Sequence, residues 1–135
     1  MRPEERNAQV SYIDTQRHGQ HKATIVAKVD DRRIRFDWYC TRHFEQRCKE
    51  GHLAMEDVLL ILDLGLCIHK GQYNMYALSK QMAHELKLDA EYQRLHGWVV
   101  IGSSDGALIT CFKTNDGYGT IKKKRILYDH RRHPH

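Results

Sequence analysis

The sequence is short of the residues that break, staple or anchor chains. Two prolines and nine glycines in 135 residues are too few for collagen-like, linker or low-complexity character. Apolar runs are short as well: the longest, Val58–Leu62, has five residues, against the roughly 20 of a membrane helix. Met1-Arg-Pro-Glu-Glu-Arg6 has no apolar segment, so no secretory signal is expected. The four cysteines, Cys40, Cys48, Cys67 and Cys111, are spread out. They are expected as buried thiols in a reducing compartment, the cytoplasm, rather than as a disulfide framework. These absences exclude membrane spans and secreted mini-proteins, and no membrane partner is expected.

What is present fits a soluble globular chain: 41% hydrophobic and 29% charged residues. A chain of this length forms one compact domain and buries roughly two-thirds of its unfolded surface. The net charge is +5, and all of it falls at the end. From Lys122 onward there are six cations, including Lys122, Lys123, Lys124 and Arg125, against one acid, Asp129; residues 1–121 are neutral. Such a tail suits phosphate backbones, whose counterions each contact releases. It serves equally as a solubilising terminus.

Residues 1–21 are polar without sustained period and read as a flexible arm, with a short strand at Val10–Asp14. Residues 22–120 form the single domain, and 121–135 the basic tail. Ala23, Ile25, Ala27 and Val29 alternate with other residues, and after Asp30-Asp31 the alternation resumes. Ile34, Phe36 and Trp38 then fall on one face, Arg33, Arg35 and Asp37 on the other. Period two predicts a β-hairpin with an arginine face turned to solvent or phosphate. From Thr41 to Glu50 the period becomes helical, with Phe44 and Cys48 inward and Gly51 ending the helix. Met55, Val58, Leu59 and Leu62 predict a second, buried helix that Gly65 closes. Leu66–Ile68 and Tyr73–Leu78 read as strands. Leu78, Met82 and Leu86 imply a third helix to about Leu88. Trp98–Ile101 and Ala107–Phe112 flank the turn signal Asp105-Gly106. Gly117-Tyr-Gly119 reads as a mobile loop before the tail. The succession predicts an α+β fold, an antiparallel β-sheet with the two consecutive helices of 41–64 packed on one face.

Cys40, His43, Cys48 and His52 have the ligand count of a zinc site. On a continuous helix, however, 40 and 48 lie about 80° apart and 43 and 52 about 180°. No metal and no cofactor is therefore expected. Dinucleotide, Walker, nucleophile-elbow and zincin signatures are absent from the sequence.

One constellation carries chemistry. Arg42-His43-Phe-Glu-Gln-Arg47, Met55-Glu-Asp-Val58, Gly65, Tyr76, Trp98-Val-Val-Ile101 and Asp105-Gly-Ala-Leu-Ile-Thr110 together resemble a small bacterial domain family related to the RelE, ParE and BrnT toxins. That family belongs to the wider barnase–colicin–RelE nuclease-like fold. The resemblance covers about Thr41 to Lys113; residues 22–37 and 79–96 look like additions. It departs from the family at Glu50-Gly51-His52-Leu53, where a basic residue ordinarily precedes the Gly, leaving Lys49 or His52 as substitutes. The resemblance implies a RelE-like fold and a toxin-like endoribonuclease or translation inhibitor, held inert by a cognate antitoxin. Metal-independent RNA cleavage needs a base for the 2′-OH, cations for the developing phosphorane and an acid for the 5′-oxygen. His43 and Arg47, at i and i+4, share a helix face and fit base and phosphate clamp. The resemblance makes Thr110 the third member of the catalytic set. Lys49, Lys113, Lys122, Lys123, Lys124 and Arg125 are the expected nucleic-acid contacts. The other function compatible with these residues is a non-catalytic nucleic-acid- or protein-binding accessory protein of a mobile element.

Overall fold

The computed structural model describes residues 8–17, 20–29 and 32–121. They form an α+β fold: a seven-stranded, mostly antiparallel sheet with five helices. In chain order these are β1 (Ala8–Arg17), β2 (Gln20–Val29), β3 (Arg32–Cys40), α1 (Arg42–Gly51), α2 (Met55–Leu64), β4 (Leu66–Lys70), β5 (Tyr73–Ala77), α3 (Lys80–Glu85), α4 (Asp89–Leu95), β6 (Trp98–Ser103), β7 (Ala107–Lys113) and a short α5 (117–121).

The strand order is β1-β2-β3-β7-β6-β5-β4. Two antiparallel meanders, β1–β3 and β4–β7, therefore meet at one parallel seam. That seam is short: only Tyr39 and Cys40 pair, with Ala107 and Leu108. A bulge follows, since Ile101 pairs with Thr110 but Gly102 with Leu108. The extra residue is Ile109, and such insertions locally bend and twist a strand.

The sheet separates two apolar clusters. Phe44 and Cys48 from α1, and Val58, Leu59, Ile61 and Leu62 from α2, share the main core with Ala23, Ile25, Cys40, Val100, Leu108 and Cys111. On the other face Ile68, Met75, Ala77, Val99 and Ile121 form a smaller core. Helix α2 packs against β1, β2, β5 and β6, so it spans both meanders. Tyr12 donates to Asp63 Oδ2 on α2 at 2.8 Å. No helix among the described residues is long and apolar enough to cross a membrane.

The strand pattern of residues 20–40, both 41–64 helices and the closing hairpin follow the sequence periods. Four local expectations are corrected. The arm contains a full strand, β1, whose every residue pairs with β2. As an edge strand it needs only Val10 and Tyr12 on the core side, so polar residues elsewhere are tolerated. The helix expected to run to about Leu88 ends at Glu85 and a separate α4 follows, because Lys87 takes the left-handed conformation at φ 59° and Leu88 N–H bonds back to Ala83 O at 2.7 Å. Residues 117–121 are helical, not a loop: Asp116 accepts from Gly119 N–H at 3.1 Å. Ile121, placed in the tail, is fully buried and belongs to the domain.

Gly51 does not end α1 by its conformation. The left-handed residue is His52, φ 56°. Gly51 is the last helical residue, and a Cβ there would overlap the Trp98 ring. Trp98 is buried and cannot swing away.

Candidate functional site

Where β3 leaves the sheet after Cys40, helix α1 takes over its lateral position beside β7. Thr41 makes the turn possible. Its N–H donates to Leu108 O at 3.1 Å, and its hydroxyl donates to Ile109 O at 3.1 Å. The same oxygen accepts from Phe44 N–H at 3.1 Å and so caps the helix. Phe44 and Cys48 turn inward, which points His43 and Arg47, one turn apart, along the β7 edge.

Of the three residues expected to act together, His43 and Thr110 are in contact, and Arg47 stands one helical turn from His43 beside β7. His43 Nε2 lies 3.2 Å from Thr110 Oγ1, although 67 residues separate them in the chain. Arg47 Nε donates to the backbone carbonyl of Cys111 at 3.3 Å, and its Nη1 lies 3.6 Å from Glu50 Oε1. His43 and Arg47 are exposed. Thr110 sits on the sheet face of Ile101 and Phe112, opposite Leu108 and Cys111. At the far end of the row, exposed Lys113 pairs with Trp98, whose ring lies against Gly51. Imidazole, guanidinium and carboxylate thus line one stripe of α1 at positions 43, 47 and 50. Glu50 was missed by sequence reasoning, although its i+7 spacing from His43 was the available signal.

Lys49 does not join this row. It and His52 line a concavity of about 630 Å³ on the other side of α1, with Asp14, His21, Glu45 and Leu53. There the His21 ring is held between Asp14 and Glu45, with Nδ1 2.7 Å from Glu45 Oε1. Both ring nitrogens thus face carboxylate oxygens. No sequence signal linked these groups, because strand pairing and the β3–α1 turn bring them together. Lys122, Lys123, Lys124 and Arg125 lie outside the described residues.

The cysteines are free, with Cys40, Cys48 and Cys111 buried and Cys67 half-buried. Burial, then the nearby Glu45 and Asp14, push the Cys40 thiol up to about 12, which keeps it protonated and unreactive at neutral pH. Behind Arg47, Cys48 Sγ and Cys111 Sγ lie 3.8 Å apart. Their mutual hydrogen bond, reinforced by burial, raises the Cys48 thiol. It lowers Cys111, with help from Arg47 and against burial. Among the described residues no group of three or more His, Cys, Asp or Glu side chains is placed to hold a metal ion. Cys40 and Cys48 lie in the main core, whereas His43 faces the β7 edge and His52 the concavity beside His21.

No protein-family model, curated protein or solved structure matches the chain.

Proposed function

We propose that this protein is a toxin-like, metal-independent endoribonuclease of RelE-like arrangement, working at the α1–β7 edge. The observation that carries the reading is the His43–Thr110 contact at 3.2 Å, with Arg47 one helical turn away. Helices α1 and α2 burying side chains in one core support the arrangement of two consecutive helices on one sheet face. Thr110 orients the imidazole. His43 exchanges a proton with the 2′-OH or the 5′-oxygen, and Glu50 is placed to serve as its counterpart. The 2′-oxygen attacks phosphorus and the P–O5′ bond breaks, leaving a cyclic phosphate and a 5′-hydroxyl. Arg47 trades Glu50 for the phosphate and stabilises the phosphorane charge. An acting toxin of this kind resides in the cytoplasm, and a cognate antitoxin would cover the exposed row.

Cleavage of a mixed RNA pool, with and without chelator, tests the proposal. Arg47→Ala should lose about a hundredfold in rate and His43→Ala about 10²–10⁴-fold. Both should remain folded, since both side chains are exposed. Activity lost on chelation would remove metal independence. Equal cleavage by both variants would remove the site.

A second reading, a non-catalytic nucleic-acid- or protein-binding accessory protein of a mobile element, is favoured by one feature. Ile34 and Phe36 are 42% and 52% exposed, although they share a strand face with core-packed Trp38. If folded, partner-free wild type cleaves no RNA, this reading takes its place.

A further inference from the structure

The outer face of the β2–β3 ribbon is unlike the rest of the sheet. The register sets Lys28 opposite Arg33, Val26 opposite Arg35, Thr24 opposite Asp37 and Lys22 opposite Tyr39. The Thr24 hydroxyl donates to Asp37 Oδ1 at 2.7 Å, so these side chains do share one face. It is the face turned away from the main core, because Ala23, Ile25 and Trp38, on the alternate positions, pack there. Four cations and one acid therefore stand on a single two-stranded surface. The acid is already engaged by Thr24 and Arg35. None of the ion pairs among the described residues involves Lys22, Lys28 or Arg33.

Like charges placed directly across a strand pair destabilise it, and Lys28 and Arg33 are so placed. An anion that spans them relieves the repulsion. On the neighbouring β1, the uncharged Ser11, Ile13 and Thr15 stand opposite Val26, Thr24 and Lys22. At its end stands Tyr39, 42% exposed, where an unpaired base can stack. Tyr39 is also the residue that joins the ribbon to β7, in register with Ala107. Beyond the bulge on that strand, Thr110 lies on this same face. Charge, aromatic and His43 partner therefore follow one another across adjacent strands.

We propose that the β2–β3 face bearing Lys22, Lys28, Arg33, Arg35 and Tyr39 is a binding track for the backbone of single-stranded RNA, leading to the His43–Thr110 contact. The track takes its destination from the endoribonuclease reading; its charge and stacking surface are independent of that reading. The aromatic end favours a single strand over a duplex, whose bases are unavailable for stacking on a side chain.

The test uses the full chain and a fluorescent single-stranded oligoribonucleotide that is 2′-O-methylated throughout. This probe lacks the attacking hydroxyl, so binding is read without cleavage. Anisotropy titrations across salt give the slope of log K against log salt. Lys28→Ala with Arg33→Ala should reduce that slope by about 1.4, the value for two lost single-strand phosphate contacts. Lys80→Ala with Lys87→Ala, the same charge removed from α3 and the turn after it, should leave it unchanged. Tyr39→Ala should weaken binding roughly tenfold, as loss of one stacked base does. An unchanged slope in the ribbon pair overturns the track, as does an equal loss in the α3 pair. Wild type that binds the probe with a ribbon-dependent slope but cleaves no unmodified RNA upholds the track and defeats the catalytic reading. Wild type that cleaves while the ribbon pair leaves the slope intact does the reverse.

Discussion

Asp37 shows how one side chain on the basic face is held. It accepts from the Thr24 hydroxyl and from Arg35 Nε, at 2.7 and 3.1 Å. The Thr24 bond, opposed next by burial and helped by Arg35 and Lys22, holds its carboxyl below the usual range. A depressed folded pKa contributes stability that is complete above the unfolded value, about 3.9, and lost as pH falls through the folded one. Asp37→Asn should therefore cost about 1 kcal/mol at pH 7, a modest figure because solvent reaches the pair. The gap from wild type in urea unfolding should close as pH drops below 4; a gap that persists at pH 2 would refute the ionic origin. His43 and Arg47 were legible in the sequence because helical spacing alone puts them on one face. Lys49 was assigned to the same surface, yet two residues of helix rotate it about 200° from Arg47. His21 was not legible at all, since its two partners come from a neighbouring strand and a helix.

Thr41 joins two elements with one hydroxyl. As cap of α1 and donor to Ile109 O, it fixes both the start of the helix and its station beside β7. Thr41→Ala should cost about 1–2 kcal/mol, more than Thr41→Ser, which retains the hydroxyl. Because the helix carries His43 to Thr110, on the proposed endoribonuclease function the Ala variant should also lose RNA-cleaving rate while Ser retains most of it. Equal rates in both would show that the cap does not position the imidazole. At this scale the sequence was readable wherever an element had a clean apolar period, as in α2 and the β6–β7 hairpin. It was opaque where tertiary pairing creates the element. β1 lacks a sustained period because only Val10 and Tyr12 of it pack against the core, and α3 and α4 are separated by a backbone conformation at Lys87 that no pattern announces.

Across the whole molecule, the α+β class was legible from alternating periods, whereas the strand order was not. Nothing in the residues of β3 or β7 states that they lie side by side. The pairing is set by α2, which covers both meanders, and by the bulge that bends β7. This seam has a consequence for the order of folding. The β1–β3 meander closes through contacts between near neighbours in the chain. The Tyr39–Ala107 pair joins residues 68 positions apart and must close a long loop for few hydrogen bonds. The seam is thus expected to form after the rate-limiting step. Leu108→Ala, which empties a fully buried position, should cost about 2–5 kcal/mol and express nearly all of it as faster unfolding. Ile25→Val, within the early meander, should instead slow refolding. If Leu108→Ala slows refolding by its full stability loss, the seam belongs to the nucleus. On the expected order, a nascent chain would hold its basic β2–β3 ribbon before Thr110 had come to lie beside His43.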